Sequence, residues 1–174
     1  GVAAAVISRR ALLSNPDHPA TTELFAPYVQ FLPNRDYGPT LHPIPAYITL
    51  NDIRTLRSKV DMVSRNTQIV AEFLDAHPDI DPVEYLGLPN HPLHELASRY
   101  MWLVDAEHDA QYRKPVNRYG HLMSFCVAGG KQNARIVLDE LQRIWRATDL
   151  GRIKSVATIP AISTHQQQGE EGRM

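Results

Sequence analysis

His91 and His94 are the first residues along this chain whose type and spacing invite a chemical reading. Imidazoles three positions apart share a helix face and make half of a zinc-type ligand set. No third ligand stands at metal spacing, and Cys126 is the sole cysteine. The pair therefore reads as the solvated first turn of a helix, and no metal site is expected. Cys126 lies in the middle of an apolar run, so it reads as a buried, inert thiol rather than a nucleophile. The chain holds no Gly-rich phosphate loop and no Gly-x-Ser-x-Gly elbow. Generic motifs alone define only an α/β domain, so the elements that would position any site come next.

The longest element is a helix. Ala46, Leu50, Ile53, Val60, Val63, Thr67, Val70 and Leu74 recur at three- and four-residue steps. That spacing predicts one amphipathic helix of about thirty residues burying that stripe. Pro43 and Pro45 suit its first turn, and His77-Pro78 closes it. Ile80 to Leu86 reads as a strand, broken by Gly87-Leu88-Pro89. Asn90 is placed to cap a second helix running through Leu93, Leu96, Ala97 and Tyr100 to Met101. His121 to Ala128 reads as a strand ending in the Gly129-Gly130 turn. Lys131 to Trp145 reads as a third helix, burying Ala134, Val137, Leu138, Leu141, Ile144 and Trp145. Ser155 to Ile159 reads as a last strand. The expectation is a small α/β layer, with helices on one face of one short sheet near Val83, Met123 and Val156.

Before the long helix, Gly1 to Ile7 is an apolar run that reads as a buried strand lacking a nearby pairing partner. It carries no signal-peptide pattern. Ser14 to Pro45 is a connector holding Pro16, Pro19, Pro27, Pro33, Pro39, Pro43 and Pro45, too dense for a long helix. One or two helical turns fit around Thr22 to Gln30. The 174 residues suffice for one domain plus a piece of another. A formal net charge of -1 provides no field that favours nucleic acid or an anionic membrane. No apolar window approaches the roughly 18 residues of a spanning helix. A lone cysteine favours a reducing, cytoplasmic setting.

Several segments resemble one family. Arg35 to Leu56 (RDYGPTLHPIPAYITLNDIRTL) and Val70 to Met101 (VAEFLDAHPDIDPVEYLGLPNHPLHELASRYM) resemble the C-terminal region of O-acetylhomoserine sulfhydrylases and their cystathionine-enzyme relatives. Gly-Leu-Pro-x-His-Pro at Gly87 to Pro92 is the most distinctive stretch. Gly120 to Gly130 (GHLMSFCVAGG) and Asp149 to Gln167 (DLGRIKSVATIPAISTHQQ) follow in the same order. The chain is thus similar to the pyridoxal-phosphate enzymes of cysteine and methionine metabolism, closest in motif to O-acetylhomoserine sulfhydrylase.

The resemblance implies an α/β fold: the end of a fold-type-I, aminotransferase-like large domain, then a small C-terminal domain. Residues 1–42 would be the last strand and connector of the cofactor-binding domain. Residues 43–174 would be the C-terminal domain, stopping before its final strand and helix. It also implies that the cofactor lysine precedes Gly1. Lys59, Lys114, Lys131 and Lys154 all fall at C-terminal-domain positions. No catalytic or cofactor-binding residue is therefore assigned to this chain, and Arg173 is not the family's carboxylate-binding arginine. The substrate-binding residues implied are Asp149 and Leu150 on one loop, and Ser163 and Thr164, facing a cleft shared with another chain. Asp149 departs from the Ser or Asn usual there, and His42, Pro45, Ile159 and Ile162 depart as well.

Two functions are implied. One is a split pyridoxal-phosphate transferase or lyase, in which a second chain supplies the large domain and its lysine. Its reaction would be γ-replacement or γ-elimination on an activated homoserine-type amino acid, in methionine biosynthesis, cysteine metabolism or trans-sulfuration. The other is a degenerate, non-catalytic partner subunit that stabilises an assembly. Either implies a tetramer-like oligomer in the cytoplasm, with no nucleic acid and no membrane.

Overall fold

The computed structural model describes residues 35–38, 41–151 and 154–165. Two compact units, Gly1–Thr55 and Leu56–Met174, divide the chain. In the first, the described residues are a single helical turn, Arg35–Tyr37, and the opening turns of the long helix α1, Pro43–Asp75. The expected strand at Gly1 to Ile7 and most of the proline-rich connector lie outside the described residues.

The single long helix is as expected. Pro43 occupies the first helical position, where its missing N–H costs nothing. His42 serves as the cap: its carbonyl accepts the Ala46 N–H at 3.1 Å, and its Nδ1 accepts the Ile44 N–H at 3.3 Å. Beyond the helix, His77 Nδ1 accepts the Asp79 N–H at 3.1 Å, turning the chain into β1.

The stripe that α1 buries is not the expected one. Asp61, Ser64 and Ala71 are the buried residues. Leu50, Ile53 and Val70 are exposed, and Val60, Val63, Thr67 and Leu74 are half-buried. The buried line is rotated because the chain that packs on α1 brings polar groups, and Asp61 and Ser64 meet them.

β1 (Ile80–Glu84) pairs antiparallel with β2 (Ser124–Val127), with Val83 opposite Phe125 and Glu84 opposite Ser124. Between them in sequence lies the short helix α2, His94–Tyr100. Its N-cap is Leu93 rather than Asn90. Asn90 instead donates its Nδ2 to Asp75 Oδ1 at 3.2 Å, pinning the Gly87–Pro92 turn to the end of α1.

The third helix, α3, is Gly130–Glu140 and stops short of the expected Trp145. Apolar periodicity runs on through Leu141 and Ile144, but Leu141 is already extended at φ -70, ψ 111. Trp145 is claimed by a strand ladder instead. β3 (Trp145–Arg146) pairs parallel with β4 (Val156–Ala157). The expected single sheet is thus, among the described residues, two two-stranded sheets, β1–β2 and β3–β4. Met123 precedes β2 and packs on the core rather than in a strand.

That core is Ala71 of α1, Tyr85 and Leu88, with Val83, Tyr119 and Met123 against it. The Gly87 turn closes over it. A Cβ on Gly87 would collide with Gln68 Oε1 and stand 2.5 Å from Tyr85 Cε1 and 3.0 Å from Tyr119 Cδ2. Gln68 Nε2 also donates to Gly87 O at 3.1 Å. Gly87→Ala is therefore expected to cost about 1–3 kcal/mol through overpacking. Urea unfolding of the variant checks this, and a change below about 0.5 kcal/mol, the spread of ordinary surface substitutions, speaks against it.

Candidate functional site

The residues expected to touch substrate lie on the two segments that follow β3 and β4. Both strands run the same way, so the crossover that leaves β3 and the turn that leaves β4 start from the same end. Asp149 and Leu150 lie on the crossover, the first half-buried and the second exposed. Its ends are held by Trp145 N–H to Ser155 O at 3.1 Å and Ala147 N–H to Ala157 O at 3.2 Å. Lys154 on the crossover stacks its Nζ 3.9 Å from the Trp145 ring centroid. This satisfies the cation on an indole face.

After β4, Pro160–Ile162 makes one 3-10 turn. Ser163 and Thr164 follow it, both exposed. Ser163 Oγ donates to Ile159 O at 2.8 Å, and Thr158 Oγ1 lies 2.8 Å from Ser163 Oγ. A hydroxyl has one proton. With the Ser163 proton on a carbonyl, Thr158 is the donor between the two. Ser163 is thus a turn-forming hydroxyl with its proton committed to backbone.

Both histidines are structural. His91 Nδ1 accepts the Leu93 N–H at 3.1 Å, so its Nε2 carries the proton and donates to Glu84 Oε2 at 3.0 Å. His94 Nδ1 donates to Leu86 O at 2.8 Å, and its ring lies 5.3 Å from that of Tyr119. They are half-buried, not the solvated pair expected. Among the described residues no group of three His, Cys, Asp or Glu is arranged for a metal ion. Cys126 is exposed, not buried.

The densest polar cluster escaped the sequence reading, which left the stretch between Met101 and His121 unassigned. Asp61 receives Arg118 Nε at 2.6 Å, and the Tyr112 hydroxyl at 3.1 Å from each carboxylate oxygen. Arg118 Nη2 donates to the same Tyr112 hydroxyl at 2.7 Å. Burial pushes the Asp61 carboxyl up, but the Arg118 and Tyr112 hydrogen bonds and the charges of Arg118 and Arg65 outweigh it. Its pKa lies below the ordinary 3.8. Next to it, burial pushes the Tyr85 phenol up, and the phenol donates to Gly120 O at 3.0 Å. Asp61 and Ser64 stand one turn apart among many other polar residues of α1, so nothing in the sequence singled them out.

A mixed α/β unit of this kind is shared with solved pyridoxal-phosphate enzymes of fold type I. A cystathionine gamma synthase from Xanthomonas oryzae pv. oryzae, solved with aminoacrylate and cysteine, superimposes with TM-score 0.62 at 31% identity, over 79% of this chain and 32% of that one. A putative O-acetylhomoserine (thiol)-lyase from Campylobacter jejuni, carrying N'-pyridoxyl-lysine-5'-monophosphate, gives TM-score 0.68 at 31% identity, over 92% and 33%. Residues 18–174 match the model of the Cys/Met metabolism PLP-dependent enzymes, and the chain belongs to that family. The O-succinylhomoserine sulfhydrylase of Pseudomonas aeruginosa is 33% identical over 139 residues, 80% of this chain and 31% of that protein. The cystathionine gamma-lyase of Rattus norvegicus is 31% identical over 145 residues, 83% and 32%. The chain spans about a third of the length of the curated relatives it matches.

The family depends on pyridoxal phosphate, and the lining of the pocket beside β1 does not fit that group. A pocket of about 130 Å³ lies between the end of α1, β1 and the Asn90 turn, and Asp75, Asp81, Glu84 and His91 line it. Three carboxylates repel a phosphate, and no lysine lines the pocket. Lys114 and Lys131 are exposed, Lys59 is half-buried on α1 and Lys154 covers Trp145. No described helix in this chain extends far or apolar enough to cross a membrane.

Proposed function

We propose that this chain is the C-terminal-domain partner in a split pyridoxal-phosphate enzyme of sulfur amino-acid metabolism. Its reaction is γ-replacement or γ-elimination on an activated homoserine-type amino acid. A second chain carries the large domain, the cofactor and the lysine that holds it. Residues 43–174 form the C-terminal domain, and residues 1–42 reach into the partner's domain. Asp149, Leu150, Ser163 and Thr164 border the shared cleft of a cytoplasmic, tetramer-like oligomer.

One observation carries the reading. The chain aligns with a sulfhydrylase, a gamma-lyase and a gamma synthase over about a third of the length of each, and none of its four lysines lines the pocket beside β1. Together these support a division in which the lysine that holds the cofactor belongs to the other chain. The half-buried carboxylate of Asp149 favours a second reading, a non-catalytic subunit, because a substrate carboxylate is repelled there.

The test is borohydride reduction of the purified chain with added pyridoxal phosphate, followed by peptide mapping. No stoichiometric phosphopyridoxyl-lysine is expected at Lys59, Lys114, Lys131 or Lys154. Co-purification with a chain bearing the large domain is expected to bring turnover of an O-acylhomoserine with sulfide. A full-yield adduct on any of the four lysines overturns the proposal.

A further inference from the structure

Residues 102–118, between α2 and β2, leave the sheet and come back. Their ends are joined at a neck: Leu103 N–H to Val116 O at 2.9 Å, Arg118 N–H to Met101 O at 3.0 Å, and a bridge between Trp102 and Asn117. Asn117 Nδ2 fastens the neck to α2 through Ser98 O at 2.7 Å and Met101 O at 3.1 Å. Past the neck, the chain coils in short turns, with His108 N–H to Asp105 O at 3.1 Å and Arg113 N–H to Asp109 O at 2.9 Å. A loop whose ends meet and whose middle packs on itself is a compact surface loop of the omega kind.

The tip of this loop rests on α1 through polar clasps. Arg57 Nε donates to Val104 O at 2.7 Å, and Arg57 Nη1 lies 3.0 Å from Asp109 Oδ2. One helical turn on, Asp61 accepts the Tyr112 hydroxyl. The two clasps therefore stack along one face of α1. Apolar anchoring is slight: Leu103 at the neck and the small Ala106 are the loop's buried residues. The β1–β2 pair is held differently, by its ladder and by Tyr85 and Leu88 in the core. Few buried apolar contacts and many accessible polar ones mark the low end of local stability. The Arg57 and Asp109 side chains remain 29% and 26% exposed, so salt reaches and screens them.

We infer that residues 104–115 are a strap that swings off α1 as one unit on a neck that stays closed, with ionic strength setting how often it opens. Opening bares the α1 turns that hold Arg57 and Asp61. The Asp61–Arg118 pair lies at the neck and stays made. This strap is separate from the β3–β4 end and does not depend on the function proposed above.

The test is hydrogen–deuterium exchange on the full chain, read by peptide at about 0.05 M and 1 M salt, for the wild type and the Arg57→Gln/Tyr112→Phe double variant. Lifting the strap off α1 exposes its amides to solvent, so their exchange reports opening. In the wild type, exchange over 104–115 is expected to rise at least about three-fold with salt. In the double variant it is expected to rise at least about ten-fold at low salt and to lose most of its salt response. Peptides covering β1 and β2 stay within about two-fold in both, which also shows that the fold is intact. Strap and sheet speeding up together overturns the inference, since the loop then opens only with the whole unit. An unchanged strap in the double variant overturns it too, because the clasps then do not hold it.

Discussion

An Arg118→Met variant is expected to lose about 3–5 kcal/mol of stability, because it leaves a buried carboxylate without its main cation. Asp61 is 7% exposed, and Arg118 Nε is 2.6 Å from its Oδ1. Arg65 offsets this only in part, since its Nε is 3.4 Å away on a side chain that is 50% exposed. Replacing both partners, Asp61→Leu with Arg118→Met, is expected to recover most of the loss, because no charge is then stranded. Urea midpoints at neutral pH measure both. A single variant that loses less than about 1 kcal/mol would place the pair among weak surface bridges.

The same carboxylate makes a pH statement. Its folded pKa is depressed, so its contribution is present above the unfolded value and is lost as pH falls through the folded one. The wild type is therefore expected to shed this contribution only below about pH 4. In Arg118→Met the burial effect is left with less to oppose it, the carboxyl moves up, and the acid transition shifts to higher pH.

The second large effect rests on the proposed function. In the complex with the large-domain chain, Asp149→Asn is expected to tighten the binding of an amino-acid substrate. Two carboxylates about 4 Å apart repel by about 1 kcal/mol in water and about 4 kcal/mol at an effective dielectric of 20. At 1.4 kcal/mol per decade, that is about five-fold to several hundred-fold in KM. A fall in KM without loss of kcat supports the split enzyme with a weakened substrate site. An unchanged KM means that Asp149 does not face the substrate carboxylate. No turnover in either form, with the complex intact, favours the non-catalytic subunit.

Family and long-range order were legible in the chain itself. Gly87 to Pro92, Gly120 to Gly130 and Asp149 to Gln167 sit in family order, and the family match over residues 18–174 agrees with them. Local signals also placed α1, β1 and β2 close to their observed positions, because proline starts and stops and the helical period act within a few residues. Packing was another matter. Which stripe of α1 is buried depends on what arrives from residues 112 to 120, and that chain brings Tyr112, Arg118 and the Gly120 N–H onto Asp61 and Ser64. Periodicity counts apolar residues and has no way to credit a buried charge whose partner lies 57 positions away.

The end of α3 shows the same limit. Leu141, Ile144 and Trp145 continue a helical pattern, yet Trp145 pairs with Val156 in a parallel ladder. A strand contact across the crossover outweighed local propensity there. Asp149 and Ser163 were picked out by resemblance alone. The segments that carry them leave the same end of β3–β4, since only a parallel pair sends both following loops off one end. Motif order and local periodicity carried the family, the positions of α1, β1 and β2, and the residues worth testing. The tertiary structure decided which of them are buried, paired or neighbours, because burial and charge pairing are set by contacts between segments that local pattern does not encode.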